Sequence, residues 1–296
     1  MDTSIKIIYP ASKANEPTPK NSILELKKCG FECQELDAAA DSPWDFLSGT
    51  VESRTQQLVS LLRNPKDSVI IAGRGGFGAS DLLPHMNWEQ LHELQETLLI
   101  GFSDISSLQS AFYTKLNWRS IHGPMPNTEY WKDVGQDDIK MLLDLLRFEG
   151  KSIHVPLDQS WGKQEATGIL FGGCLSVLTG LIGTPYIPQS LAEHILFFED
   201  IGEHPARILR FINQWQQSGM LEGVRHIVFG DLSGLEELGY DKSTLCNEIH
   251  ERTQIPVSSS KYFGHCSPNY PLGIGYKANI SSNELIWKGP EYDHKS

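Results

Sequence analysis

Three short apolar runs limit what this chain can fold into. Residues 4–9 (SIKIIY), 68–72 (SVIIA) and 97–100 (TLLI) are too short for core helices. The last two are too uniformly apolar for strands wetted on one face, and they read as strands covered on both sides. Between the runs the apolar residues take helical spacing. Ile23, Leu24 and Leu26 lie in a segment that Asn21 or Ser22 can cap and Gly30 ends. Val51, Leu58, Leu61 and Leu62 mark a helix over residues 51–63, and residues 88–96 mark another. Residues 31–36 read as a further strand. Strand and helix in alternation predict an α/β fold whose parallel sheet is covered on both faces.

After residue 112 the alternation weakens and then resumes. Residues 118–125 (WRSIHGPM) carry a strand end and a turn at Gly123-Pro124, and residues 137–148 a helix. The polar stretch 152–168 predicts a crossover between two units. Beyond it come strands at 166–171, 195–198 and 225–229, and helices at 175–181, from Pro205 to Trp215, and at 243–252. Residues 272–288 alternate as a hairpin with its turn at 281–283. The expected organisation is an N-terminal domain over 1–151, a linker over 152–165 and a C-terminal domain over 166–296.

Bulk properties remove several function classes. The chain has 296 residues, 25 basic and 37 acidic, for a net charge of −12. That balance disfavours nucleic acid or an anionic membrane surface as the partner. No apolar segment approaches the length that spans a bilayer, and the first residues, MDTSIKIIYPAS, do not read as a secretory signal. Five scattered cysteines with no C-x-x-C pair suit reduced thiols in a cytoplasm. The chain has no HExxH and no paired Cys/His ligands, so no metal is expected. The glycine run after Ile71 fits neither phosphate-loop pattern, so no nucleotide cofactor is expected.

The chemistry centres on residues 97–112 (TLLIGFSDISSLQSAF). A buried strand runs into Gly101, which permits a change of direction, and Asp104 or Ser106 can cap the helix that follows. A serine on such a turn has its hydroxyl held out above the sheet, and amides at the helix start can meet a developing negative charge. Ser103 is therefore a candidate nucleophile, although G-F-S-D-I is not the G-x-S-x-G elbow and a serine there can equally just end a strand. A nucleophilic serine needs a base and a group to orient it. Two of the ten histidines stand in unusual surroundings: His122 before Gly-Pro, and His265 in an aperiodic G-H-C-S-P loop. Glu199 ends the ILFF strand, with Asp200 and Glu203 as nearby alternatives; alternation puts Asp200 on the face opposite Glu199.

Seven motifs in order resemble the LD-carboxypeptidase family of serine peptidases: IKIIYPAS, AGRGGFGASDLLP, IGFSDISSL, IHGPM, GGCLSVLTGLIGTPY, LFFEDIGEHPARILRFINQW and GHCSPNYPLGIG. The resemblance covers nearly the whole chain. It implies a flavodoxin-like N-terminal domain, a smaller swivelling-type α/β C-terminal domain, an active site between them and a homodimer. Carried over by motif, Ser103 is the nucleophile, Glu199 the acid and His265 the base. The implied oxyanion hole uses the backbone N–H groups of Asp104 and Gly76. Two departures bear on the pocket: Phe77 stands where many relatives have tyrosine, and GHCSPNYPLG replaces a more usual GHG-type start.

The implied substrate is a cytoplasmic murein tetrapeptide or related small peptide, cut between the L-centre of its third residue and terminal D-alanine. Arg74 is the candidate for holding the free carboxylate, and a structural ion pair is its alternative role. Two other readings compete. One is a microcin-type immunity peptidase that cleaves an aminoacyl-nucleotide amide, a branch that usually carries an extra aromatic loop. The other is a non-catalytic binder of a small peptide or sugar.

Overall fold

The computed structural model describes residues 4–14, 20–36, 42, 44–64, 69–131 and 136–291. Fourteen strands among them form two sheets. The first sheet takes β1 (Ser4–Ile8), β2 (Glu32–Glu35), β3 (Val69–Ala72), β4 (Leu98–Gly101) and β5 (Ser120–His122). The second takes β6 (Ser152–Pro156), β7 (Gln159–Trp161), β8 (Ala166–Cys174), β9 (His194–Ile201), β10 (His226–Ser233) and β11 (Val257–Ser259), with β13 (Lys277–Ser281) and β14 (Glu284–Lys288). One strand from late in the chain, β12 (Leu272–Ile274), returns to the first sheet.

The first sheet has the order β12-β5-β4-β3-β1-β2. Strands β2-β1-β3-β4-β5 are parallel, which is the flavodoxin-like order. Ile5, Ile7, Ile70, Ile71, Leu99 and Ile100 are wholly buried, as expected of strands covered on both faces. The helices are α1 (Lys20–Lys28), α2 (Val51–Leu62), α3 (Trp88–His92) and α4 (Ser106–Leu116), then α5 (Asp137–Leu145), α6 (Leu175–Thr179), α7 (Pro205–Gln217) and α8 (Lys242–Thr253). The second sheet runs β6-β14-β13-β8-β9-β10-β11-β7, with parallel pairing from β8 to β11 and antiparallel pairing on both flanks.

Several expectations change in detail. Residues 152–165 do not merely cross over: they supply β6 and β7 at opposite edges of the second sheet. The tail hairpin is shorter than its alternation suggested. Residues 277–288 form it, while Leu272–Ile274 pairs antiparallel with β5. Sequence alternation cannot show which sheet a strand joins, because both offer a buried face. The helix expected over 88–96 ends at His92. Ser22 lies inside α1 and donates to the Pro126 carbonyl rather than capping, and the Asn21 side chain lies outside the described residues. Ser68, expected to open the third strand, also lies outside them.

Candidate active site

The change of direction after β4 falls on Ser103 itself, not on Gly101. Gly101 remains in the strand, packed where a Cβ would meet Ile105 and Ala72. Ser103 has φ +62°, the left-handed region, and opens a 3₁₀ turn (Ser103–Ile105) ahead of α4. Holding a residue with a Cβ there costs about 1–2 kcal/mol, a strain that marks many functional turns. The glycine loop closes over this turn. A Cβ on Gly75 would stand 2.9 Å from the Ser103 Cβ and 3.4 Å from the Asp104 amide nitrogen.

Neither expected cap acts as one. The Asp104 carboxylate accepts from the Ala79 amide at 2.8 Å, and the Ser106 hydroxyl accepts from the Cys174 amide at 3.0 Å. Asp104 thus ties the nucleophile turn to the glycine loop, and Ser106 ties it to the end of β8. Burial pushes Asp104 up to about 6, against the pull of the Ala79 hydrogen bond. Arg54, on α2 and 1% exposed, gave no signal in the sequence beyond its helix. Its Nη1 donates to the carbonyls of Pro10 (2.8 Å) and Gly78 (2.6 Å), pinning the loops after β1 and β3. Only a buried basic residue on an otherwise apolar helix face could have pointed to it.

His265 reaches the site from the loop after β11. Its backbone is held at several points. The Ser233 hydroxyl donates to the His265 carbonyl at 3.0 Å, and the Gly264 amide donates to Asn269 Oδ1 at 3.0 Å. The Asn269 amide in turn donates to Asp138 Oδ2 at 2.7 Å. The imidazole Nε2 lies 3.2 Å from Ser103 Oγ, and Nδ1 lies 2.6 Å from Glu199 Oε2. Nδ1 therefore carries the proton toward the carboxylate, leaving the Nε2 lone pair facing the serine hydroxyl.

Glu199 lies on β9 and is wholly buried. Burial alone would raise its pKa, but His265 and His122 outweigh that and lower it to about 2. Burial would lower the His265 pKa. The charge and hydrogen bond of Glu199 reverse this and raise it above the ordinary 6.5. His122, the other histidine singled out in the sequence, places Nε2 3.4 Å from Glu199 Oε1. Asp200 turns away, as alternation requires, and accepts from the Ser176 amide at 2.8 Å at the start of α6. Glu203 pairs with Arg207 at 2.9 Å. Of the three acids considered, Glu199 alone meets His265.

Ser103 and His265 face an open cleft of 540 Å³ also lined by Arg74, Gly76, Met125 and Tyr130. Arg74 donates from Nη1 to the Lys13 carbonyl at 2.9 Å while lining the cleft. The Gly76 backbone borders the cleft, and Asp104 follows Ser103 directly in the turn. Phe77 is exposed, with its ring edge toward Phe46. Among the described residues, no helix is long and apolar enough to cross a membrane, and no cluster of His, Cys, Asp and Glu is arranged to hold a metal ion.

The chain as a whole has counterparts among known proteins. Residues 5–123 match the family model for the LD-carboxypeptidase N-terminal domain, and residues 167–280 match that for the LD-carboxypeptidase C-terminal domain. The chain is 27% identical to a murein tetrapeptide carboxypeptidase of Pseudomonas aeruginosa, covering 97% of this chain and 96% of that one. It is 24% identical to the microcin C7 self-immunity protein MccF of Escherichia coli over 79% of this chain and 77% of that one. The crystal structure of muramoyltetrapeptide carboxypeptidase from Oxalobacter formigenes superposes with a TM-score of 0.84 at 25% identity, covering 98% of this chain and all of that one.

Proposed function

The chain belongs to the LD-carboxypeptidase family, and from that premise we propose that it hydrolyses the amide holding the terminal D-alanine of a murein tetrapeptide. The observation that carries the reading is the line from Ser103 Oγ to His265 Nε2 (3.2 Å) and from His265 Nδ1 to Glu199 (2.6 Å).

In this reading His265 Nε2 takes the Ser103 proton as Oγ attacks the carbonyl carbon of the third residue. The amides of Asp104 and Gly76 receive the oxyanion, a contribution on the order of 3 kcal/mol per donor in such sites. The imidazolium, stabilised by Glu199, then gives its proton to the departing D-alanine nitrogen as the amide bond breaks. Water attacks the resulting ester, His265 takes its proton, and Ser103 leaves with that proton restored. Arg74 pairs with the free carboxylate that distinguishes a carboxypeptidase substrate from an internal peptide bond. The family resemblance further supports a homodimer acting on cytoplasmic murein fragments.

A second reading, cleavage of an aminoacyl-nucleotide amide, draws on the similarity to MccF. The two separate on substrate. L-Ala-γ-D-Glu-meso-Dap-D-Ala, its L-alanine epimer, its C-terminal amide and aspartyl sulfamoyl adenosine are each incubated with the protein and followed by mass spectrometry. The proposal expects turnover of the first alone. Turnover of the sulfamoyl adenosine without the tetrapeptide would replace it with the second reading.

A further inference from the structure

The triad uses one oxygen of Glu199. The other oxygen, Oε1, faces His122 Nε2 at 3.4 Å, and both residues are wholly buried. His122 belongs to β5 of the first sheet, and Glu199 to β9 of the second. The contact therefore joins the sheet that presents the nucleophile to the sheet that presents the acid. On its own sheet His122 is registered against Gly101, two residues before Ser103. The chain from Ser103 through β4, β5, His122 and Glu199 to His265 closes on itself.

We propose that His122 is a positioning residue for the reaction: it donates from Nε2 to Glu199, so that the carboxylate cannot rotate away from His265 and the serine sheet stays in register with the acid. The inference rests on the reading of Ser103, His265 and Glu199 given above.

The surroundings of His122 favour this role. Its ring sits edge-on to Phe102 (5.9 Å), Phe197 (5.5 Å) and Phe263 (6.4 Å), an apolar box that offers no alternative acceptor. Nδ1 has no hydrogen-bond partner among the described residues. A protonated ring would leave a buried, unpaired N–H there, which is costly. The neutral tautomer with its proton on Nε2 leaves only a lone pair unpaired and still donates to the carboxylate. Phe102 is shared: its ring lies 5.9 Å from His122 and 4.9 Å from His265, so both imidazoles pack on one wall. A carboxylate with a donor on each oxygen has one orientation, which is what an imidazole must meet before it can accept a proton well.

The test compares His122→Gln, which keeps an N–H donor near the Nε2 position, with His122→Leu, which fills the box without one. His122→Asn, smaller than histidine and with its donor drawn back, serves where the leucine variant does not fold. Two rates are read: turnover of the tetrapeptide, and covalent modification of Ser103 by a fluorophosphonate, which needs an activated serine and no peptide substrate. The leucine or asparagine variant is expected to lose about ten- to a hundredfold in kcat and in labelling rate, by analogy with the loss when the hydrogen-bond partner of a metal-ligating histidine is removed, with KM unchanged within about twofold. The glutamine variant should recover most of both. In a Glu199→Gln background the further loss should shrink, because the two residues act as one unit. A leucine or asparagine variant that is labelled as fast as wild type, or losses that add fully to those of Glu199→Gln, would overturn the inference alone. A folded wild type that is not labelled at Ser103 would overturn the triad reading, and this inference with it.

Discussion

Gly264 lies against Glu199: a Cβ on Gly264 would stand 2.8 Å from the Glu199 Cβ and 3.2 Å from its Oε2. The residue next to His265 is thus the one that lets backbone approach the buried acid, and its φ of +112° suits glycine alone. Gly264→Ala should therefore both strain the loop and push the imidazole off the carboxylate. The expected outcome is a loss of about 2–4 kcal/mol of stability in denaturant unfolding, together with a fall in kcat larger than any change in KM.

The strain at Ser103 separates two substitutions that equally remove the hydroxyl. Ser103→Ala keeps a Cβ at φ +62°, whereas Ser103→Gly relieves it. Both should lose turnover by at least about a thousandfold. Thermal melts should nonetheless find the glycine variant more stable than the alanine variant, by about 1 kcal/mol.

The Glu199–His265 pair sets opposite pH trends for activity and stability. His265 must be neutral to act as base, and its pKa is raised, so kcat/KM should climb with pH through a single ionisation above 6.5. The stabilisation that His265 gains from its charged form is complete below 6.5 and is lost as pH rises through the raised value. For Glu199, lowered from 4.5 to about 2, the contribution is present above 4.5 and is lost as pH falls toward 2. Glu199→Gln should move the acid limb of the rate profile to lower pH.

Arg74 lines the cleft beside the glycine loop, with Nη1 on the Lys13 carbonyl. If it pairs with the substrate carboxylate, Arg74→Ala should raise KM by about ten- to a hundredfold, and Arg74→Lys should recover only part, since lysine cannot pair in bidentate fashion. Michaelis curves on the tetrapeptide, with its C-terminal amide added as a competing inhibitor, check this: inhibition by the amide should be almost indifferent to the substitution.

Much of this site was legible in the sequence because its parts sit at punctuated places. Ser103 follows an apolar run and a glycine, Glu199 ends one, and His265 lies in a loop without periodicity. The two histidines in unusual surroundings both arrive at Glu199, one on each oxygen. The same reasoning placed the flexible point at Gly101, because it assumes that a glycine takes any left-handed conformation; here the serine takes it. It also read Asp104 and Ser106 as caps, which is what such residues do locally, whereas each reaches across to another segment. Arg54 and Asp138 left no trace, since their partners are backbone groups far away in the chain, and Asn269 left none because it holds the Gly264 amide within a loop that has no periodicity. The return of Leu272–Ile274 to the first sheet was hidden for a related reason: local pattern fixes which face of a strand is buried, not which neighbour it joins.

The central claim is that Ser103 cuts an L,D-amide to release D-alanine. The most direct measurement is release of D-alanine from L-Ala-γ-D-Glu-meso-Dap-D-Ala, quantified by mass spectrometry for the wild type and for Ser103→Ala. One D-alanine per tripeptide from the wild type, and none above background from the variant, is the predicted result. No release by folded wild type, or equal release by Ser103→Ala, would contradict it.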